Sequence, residues 1–453
     1  MPVLSSHARS LWITSSMGIL AGLVLLDETM LGVALPSIRS DLALSENGAH
    51  WVINAYLLTL TCLAALGGKC LDLFGLRPLL VIGGAVFCTA ALFAGFAQSE
   101  TALVAMRALQ GVGAALIFVL SMTGANSAFP PEKRGLAIGI YSAMATISRA
   151  AGPLVGGLIT HYVSWHWIFW LNIPIVIVFG TIAFIVWRPP SEAKAPESID
   201  GLGLVLLLLG LCGVVYAVME SSSFGWLSPI ILISALVGVL CLIAFYRVEH
   251  GHKEPLIDVT LFHDPLFSTA CFIFMISQFV MISLAVFFPI YLQQVMAFSA
   301  AQAGLATLFA FIAFPVIAAP VGRLADGLGS RRMVTIGCFG GAVAMIAVAF
   351  LMPYRSYWLM AAPLVIWGIC MTFVTGPSRR VAANAAPEDE QGQSTGAVLT
   401  LRLFGSTLGV SVSSALIGVG YEIPVVIGFS GGLLVFASLL GLAVLTDDRA
   451  PRL

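Results

Sequence analysis

Two adjacent carboxylates, Asp27 and Glu28, stand in "LVLLDETMLGVALP", residues 23–36, a run otherwise apolar or small. An acid at the centre of a membrane-spanning helix costs about 2.5–3.5 kcal/mol on an insertion scale, so it should face a cavity and be either protonatable or paired. Three arginines sit in comparable surroundings: Arg107 in "RALQGVGAA", Arg149 in "RAAGPLVG" and Arg402 in "RLFGSTLG". The chemistry open to such a set is proton binding next to a fixed cation, or recognition of an anionic group by a guanidinium fork.

The elements that must carry these residues follow from composition. With 59% hydrophobic and 9% charged residues and a mean hydropathy of +1.01, the chain lies outside the range of soluble domains and belongs in a bilayer. A hydrocarbon core about 30 Å thick needs roughly 20 apolar residues per helical span. Fourteen such windows recur, over residues 11–36, 47–68, 78–98, 101–126, 135–160, 166–187, 201–220, 227–246, 267–290, 300–322, 333–353, 356–377, 394–419 and 424–446. The ten-residue alternation of a membrane barrel is missing, so the fold class predicted is all-α. With the amino terminus in the cytoplasm, sixteen of the 21 Lys and Arg residues fall on that side, Arg39 and Arg355 fall outside, and Arg107, Arg149 and Arg402 lie within spans. This bias predicts a multi-pass protein of the cell (inner) membrane with both termini cytoplasmic. The first apolar segment shows no small-residue cleavage site before Asp27 and reads as a retained span.

Asp27 lies nine residues from the outer end of its span and Arg107 six residues into the one that begins at 101. At about 1.5 Å per residue both sit roughly 9–14 Å below the outer surface and can meet. Glu28, rotated by about 100° on the same helix, cannot face the same way. Arg149, fourteen residues into its span, is near the midplane and requires a partner. Asp27 or Glu28 is one candidate, and an anionic group on a substrate is the other.

The spans divide as six, two and six. A polar linker, "RPPSEAKAPESIDG" (188–201), follows the sixth, and "RVEHGHKEPLIDVTLFHDP" (247–265) follows the eighth. The domains predicted are an N-terminal bundle, 1–187, a central pair of helices with its linkers, 188–265, and a C-terminal bundle with a short tail, 266–453. The two bundles share sequence. "GKCLDLFGLR" (68–77) superposes on "GRLADGLGSR" (322–331) at an offset of 254, matching Asp72 to Asp326 and Arg77 to Arg331. "RAAGPLVG" matches "RLFGSTLG" at 253, whereas Gly139 and Gly396 prefer 257, which leaves one helical turn open. Parallel repeats of this kind suit a rocking secondary transporter. Eight single cysteines and seven histidines show no metal-ligand spacing, and no phosphate loop or nucleophile–base set is present. No metal, no cofactor and no enzyme activity are expected.

The sequence resembles the major facilitator superfamily, and within it the fourteen-spanner drug:proton antiporters. "LDETMLGVALP" looks like the first-span motif, "GGKCLDLFGLRPLL" like the loop motif between spans two and three, and "RALQGVGAA" like the fourth-span motif, with Arg107, Gln110 and Gly111 in place. Gly139, Gly152, Pro153, Gly156 and Gly157 fit the fifth-span antiporter motif, and "WVINAYLL", "WHWIFWLNIPI" and "PLIDVTLF" are also similar to subfamily sequence. Departures are Ser148, Arg149 and His166, where Gly, a free position and Arg are usual, and a first loop motif with Arg77 as its single arginine.

The resemblance implies a proton-coupled exporter of amphipathic drug-like molecules, working as a monomer by alternating access, with the proton gradient as energy source. Its partners would be a small-molecule substrate, protons and the bilayer, and no nucleic acid. Asp27 would bind the proton and Arg107 would govern its protonation, the alternative being a fixed pair that locks two helices. Asp72, Arg77, Asp326 and Arg331 would latch one transport state, or else serve as a topological signal. Gly152, Pro153, Gly156 and Gly157 allow close helix packing, with or without a seal against proton leak. Trp51, Tyr56, Gln110, Phe279, Phe287, Phe288 and Arg402 are candidates for the substrate pocket. Trp165, Trp167 and Trp170 look like an interfacial aromatic belt. A transporter of an organic anion or metabolite on the same fold is the runner-up, followed by a membrane sensor without transport.

Overall fold

The computed structural model describes residues 6–129, 134–187, 200–252, 255–385 and 391–446. These residues form helices and no strand. The helices are α1 (Ser6–Asp41), α2 (Glu46–Phe74), α3 (Leu76–Ala94), α4 (Glu100–Ser127), α5 (Arg134–Tyr162), α6 (His166–Trp170), α7 (Asn172–Val186), α8 (Gly201–Phe224), α9 (Pro229–Gly251), α10 (Pro265–Gln294), α11 (Ala300–Phe311), α12 (Ala313–Leu328), α13 (Ser330–Leu351), α14 (Tyr357–Ala385), α15 (Gln391–Gly418) and α16 (Ile423–Val444). The chain divides into two compact units, residues 1–199 and 200–453. The central pair α8 and α9 falls within the second unit. A cause is visible where α8 meets α15, since a Cβ at Gly418 would strike Ser222. Most of the linker at 188–201 lies outside the described residues.

Helix ends follow local chemistry. Ser45 caps α2 by accepting from the Gly48 N–H at 2.9 Å, and Asp264 caps α10, whose first residue is Pro265. Ser99 caps α4, and the adjacent Glu100 reaches back to accept from the Ser45 N–H at 3.0 Å. Gly75 ends α2 at φ 75° and Gly329 ends α12 at φ 83°, a backbone region that favours glycine.

Twelve helical segments among the described residues are long and apolar enough to cross a membrane, two fewer than the fourteen spans expected. The expected spans 47–68 and 135–160 correspond to α2 and α5, which are long helices but not among the twelve. Both carry polar side chains into protein: Asn54, Tyr56 and Thr61 of α2 and Arg149 of α5 are buried. A helix enclosed by protein needs less hydropathy than one facing lipid.

The repeat is legible inside each unit. Arg77 Nη2 donates to the Trp187 carbonyl at 2.7 Å, and Arg331 Nη2 donates to the Leu442 carbonyl at 2.7 Å. Each arginine thus holds the C-terminal end of the last helix of its own unit. α5 packs on α1 through Gly152 and Gly156, and α15 packs on α10 through Gly405 and Gly409. The packing follows the offset of 253. Gly139 and Gly396, which favoured 257, have nothing within 4 Å of a built Cβ and take no part in the close approach.

Candidate functional site

Asp27 and Glu28, neighbours on α1, are both buried, 1% and 2% exposed, and serve two different arginines. Asp27 Oδ2 accepts from Arg107 Nη1 of α4 at 2.6 Å, and Glu28 Oε1 accepts from Arg149 Nη2 of α5 at 3.4 Å. The step of about 100° between adjacent helical residues separates the two contacts. α4 and α5 flank α1, and the small residues of α5 let it come close enough for the second pair. A Cβ at Gly156 would lie 2.7 Å from the Met30 carbonyl, and one at Gly152 would overlap the Thr29 hydroxyl, which donates to the Arg149 carbonyl at 3.1 Å. Pro153 and Gly157 are buried on the same helix.

Arg107 is wholly enclosed. Its Nε donates to the Val52 carbonyl at 2.9 Å, its Nη1 also donates to Gln110 Oε1 at 2.7 Å, and its guanidinium carbon sits 4.2 Å from the Tyr56 ring centre. Tyr56 donates its hydroxyl to the Val24 carbonyl at 3.1 Å. The second carboxylate oxygen of Asp27 accepts from Asn172 Nδ2 at 2.8 Å and from Gln110 Nε2 at 3.3 Å. A charge in such a place is tolerated only when paired and hydrogen-bonded, and Asp27 has three donor groups about it. One of them, Asn172, also suits a neutral acid, because its Oδ1 has no hydrogen-bond partner among the described residues and, with the amide turned over, can accept from a carboxyl O–H. The arrangement can hold Asp27 with or without a proton.

Asn172 was not among the candidates from sequence. Its signal was an amide inside the apolar run "IFWLNIPIVIV", at the start of α7. Tyr56 and Gln110, expected in a substrate pocket, surround the Asp27–Arg107 pair. Trp51 is half-buried, and Phe279, Phe287 and Phe288 are buried along α10. Arg402 Nε donates to Gln278 Oε1 at 3.4 Å. The second unit thus repeats the arginine of the first, with an amide among its partners. Of the latch residues, Arg77 and Arg331 hold helix ends as described, while the Asp72 and Asp326 side chains lie outside what the structure describes. Trp165 departs from the belt expected of it, being 5% exposed and donating to Asp41 Oδ2 at 2.9 Å. Trp167 is exposed and Trp170 is half-buried. No group of three His, Cys, Asp or Glu side chains suited to a metal occurs among the described residues.

Comparison with known proteins places this geometry. Residues 17–410 match the Major Facilitator Superfamily. The chain is 28% identical over 406 residues to the multidrug export protein EmrB of Haemophilus influenzae, covering 89% of this chain and 79% of that one. It is 31% identical over 398 residues to the puromycin resistance protein pur8 of Streptomyces alboniger, covering 86% and 78%. Among solved structures, the partially occluded, inward-open xylose transporter XylE from E. coli superposes with a TM-score of 0.67 at 15% identity, covering 99% of this chain and 100% of that one. A peptide transporter POT in complex with sulfate superposes with a TM-score of 0.70 at 15% identity, covering 96% and 94%. At such identities these two establish the fold alone. The protein is therefore a multi-pass membrane transporter and not an enzyme, and the chain belongs to the major facilitator superfamily.

Proposed function

We propose that this protein is a proton-coupled exporter that moves amphipathic, drug-like molecules out of the cell in exchange for protons, with Asp27 as the coupling residue. The observation that carries the proposal is a carboxylate 1% exposed, inside an apolar helix, paired with Arg107 and reached by two amides. The export and resistance functions in the names of EmrB and pur8 support the substrate class. With a proton on Asp27 the charge balance against Arg107 is lost, and with the proton gone it is restored. Two states that differ in this pairing respond to protonation by a shift of population. Substrate that favours the deprotonated state and protons that favour the other then exchange across the membrane.

Glu28 and Arg149 form the neighbouring pair, and Arg149 engaged by an acid of its own chain favours cationic or neutral substrates over an organic anion. In this proposal α2 and α5 complete a fourteen-span topology with both termini cytoplasmic, supported by the Lys and Arg distribution. Asp72 and Asp326 remain proposed latch residues. Trp51, the α10 phenylalanines and Arg402 remain proposed substrate contacts. The protein acts as a monomer without a cofactor.

The test is export of a panel of cationic, neutral and anionic fluorescent compounds from energised cells, with and without a protonophore. Export of cationic and neutral members that stops with the protonophore is expected. Export confined to anions, or indifferent to the protonophore, would replace this proposal with the organic-anion or uncoupled alternatives.

A further inference from the structure

A second pair of buried carboxylates lies far along the chain from Asp27, at the foot of the α8–α9 hairpin. Asp200 is 5% exposed and Glu249 is 2% exposed. Each uses one oxygen to hold backbone. Asp200 Oδ1 caps α8 by accepting from the Gly203 N–H at 2.8 Å, and Glu249 Oε2 accepts from the Ile257 N–H at 3.3 Å. The other two oxygens, Asp200 Oδ2 and Glu249 Oε1, have no hydrogen-bond partner among the described residues. Both press on the same point, the place a Cβ would occupy at Gly203, so the two carboxyls face each other across a gap that glycine leaves open. Burial, and after it the neighbouring Asp200 carboxyl, push the Glu249 carboxyl up to about 7.

No Lys or Arg among the described residues forms an ion pair with either carboxyl, and the imidazole Nε2 of His252 lies 4.0 Å from Asp200 Oδ2. Two buried carboxylates so placed cannot both ionise without a large penalty. One shared proton converts two unpartnered acceptors into a donor and an acceptor, satisfying both.

We propose that Asp200 and Glu249 form a proton-binding site, separate from Asp27, whose single shared proton clamps the connection that leads into α10. The clamp is Glu249 itself, which holds the Ile257 N–H. Beyond Ile257 the connection is compact: Asp258 caps the short helix Val259–His263, and Ser268 of α10 donates to the Phe262 carbonyl at 2.6 Å. Loss of the proton sets two charges against each other at the base of this segment and releases it. Other titratable groups stand close by on α9 and on the short helix. His263 Nε2 lies 3.2 Å from the Tyr246 hydroxyl, and His250 stacks on Tyr246 and packs edge-on against His263. In the orientation proposed above this end of the hairpin faces the cytoplasm, so the site would read the internal pH.

The test uses the full chain in lipid nanodiscs and needs no transport substrate, so its outcome is independent of the Asp27 proposal. Infrared difference spectra are recorded as pH is raised from mildly acidic to mildly alkaline, and backbone amide exchange over residues 255–263 is followed in parallel with correction for intrinsic rates. The wild type is expected to lose one protonated-carboxyl band, and protection of 255–263 should fall over the same pH range. Glu249→Gln and Asp200→Asn should each lack that band. Glu249→Gln, which keeps an oxygen for Ile257 and is neutral at every pH, should stay protected throughout.

A band and a protection profile unchanged in both variants would overturn the proposal. So would a pH response abolished by His250→Gln or His263→Gln but kept by Glu249→Gln, which would assign it to the imidazoles. Protection that rises with sodium or magnesium at fixed pH would identify a cation site instead and would equally overturn it.

Discussion

Asp27→Asn separates a proton carrier from a structural lock. Removing one partner of a buried ion pair generally costs about 3–5 kcal/mol, because the other charge is left uncompensated. The surroundings here argue for less. The amide keeps the shape of the carboxyl and an oxygen to accept from Arg107 Nη1 at the 2.6 Å position; Asn172 can turn its amide over so that its oxygen accepts from the new N–H, while the 3.3 Å bond from Gln110 Nε2 is given up. What is lost is the excess of a charge-assisted hydrogen bond over a neutral one, about 1–2 kcal/mol. Arg107 stays engaged by the Val52 carbonyl, Gln110 and the Tyr56 ring. A protein that protonates Asp27 in every cycle must in any case tolerate a neutral group there. The variant should therefore insert, fold and unfold on heating only slightly below the wild type, while uphill transport driven by a pH gradient in proteoliposomes falls to the level of empty vesicles. Downhill equilibration of substrate should persist. Uphill transport that survives and still collapses with a protonophore would remove Asp27 from the mechanism. A loss of stability near the upper range, with no folded protein recovered, would make the pair a lock between α1 and α4.

Further outcomes follow from the packing and the second pair. Gly156→Ala drives a methyl to 2.7 Å from the Met30 carbonyl and should destabilise by about 1–3 kcal/mol in thermal unfolding. Gly139→Ala, with nothing within 4 Å, should stay within about 0.5 kcal/mol of wild type. Equal effects would refute the assignment of the close-packed face. Arg149→Ala should impair coupling for every substrate and move the pH profile of transport, and Glu28→Gln should move it in the same assay. Loss of anionic substrates alone, with the profile unmoved, would favour the organic-anion alternative. Asp72→Asn should shift cysteine labelling reciprocally at the two membrane faces while substrate binding persists, and labelling identical to wild type would leave the loop motif a topological signal.

Much of this is legible in the sequence because intramembrane charge is expensive and therefore sparse. Asp27 and Arg107 could be brought together from depth alone, since α-helices rise by a fixed amount per residue. The same regularity separated Glu28 from Asp27. The offset of 253 between the fifth spans was not decidable by matching letters, because Gly139 and Gly396 argued for 257. Contact decided it, with Gly152 and Gly156 against α1 and Gly405 and Gly409 against α10. Asn172 escaped notice because one amide in an apolar run has no periodicity, and its part depends on α7 reaching α1. Trp165 was misplaced for a related reason, as sequence reports that an indole is near a helix end but not that Asp41 waits for its N–H. The count of spans, taken over the described residues, differs at α2 and α5, and α5 carries the buried Arg149.

The central claim is exchange, and it is tested most directly by watching protons move when substrate alone supplies the driving force. Proteoliposomes loaded with a cationic fluorescent substrate and a pH-reporting dye are diluted into substrate-free buffer at equal pH, with the membrane potential clamped. As substrate leaves, the lumen should acidify in proportion to the substrate lost, whichever way the protein is inserted, and Asp27→Asn should show no acidification. Substrate efflux from wild-type vesicles with no change in lumenal pH would contradict the account.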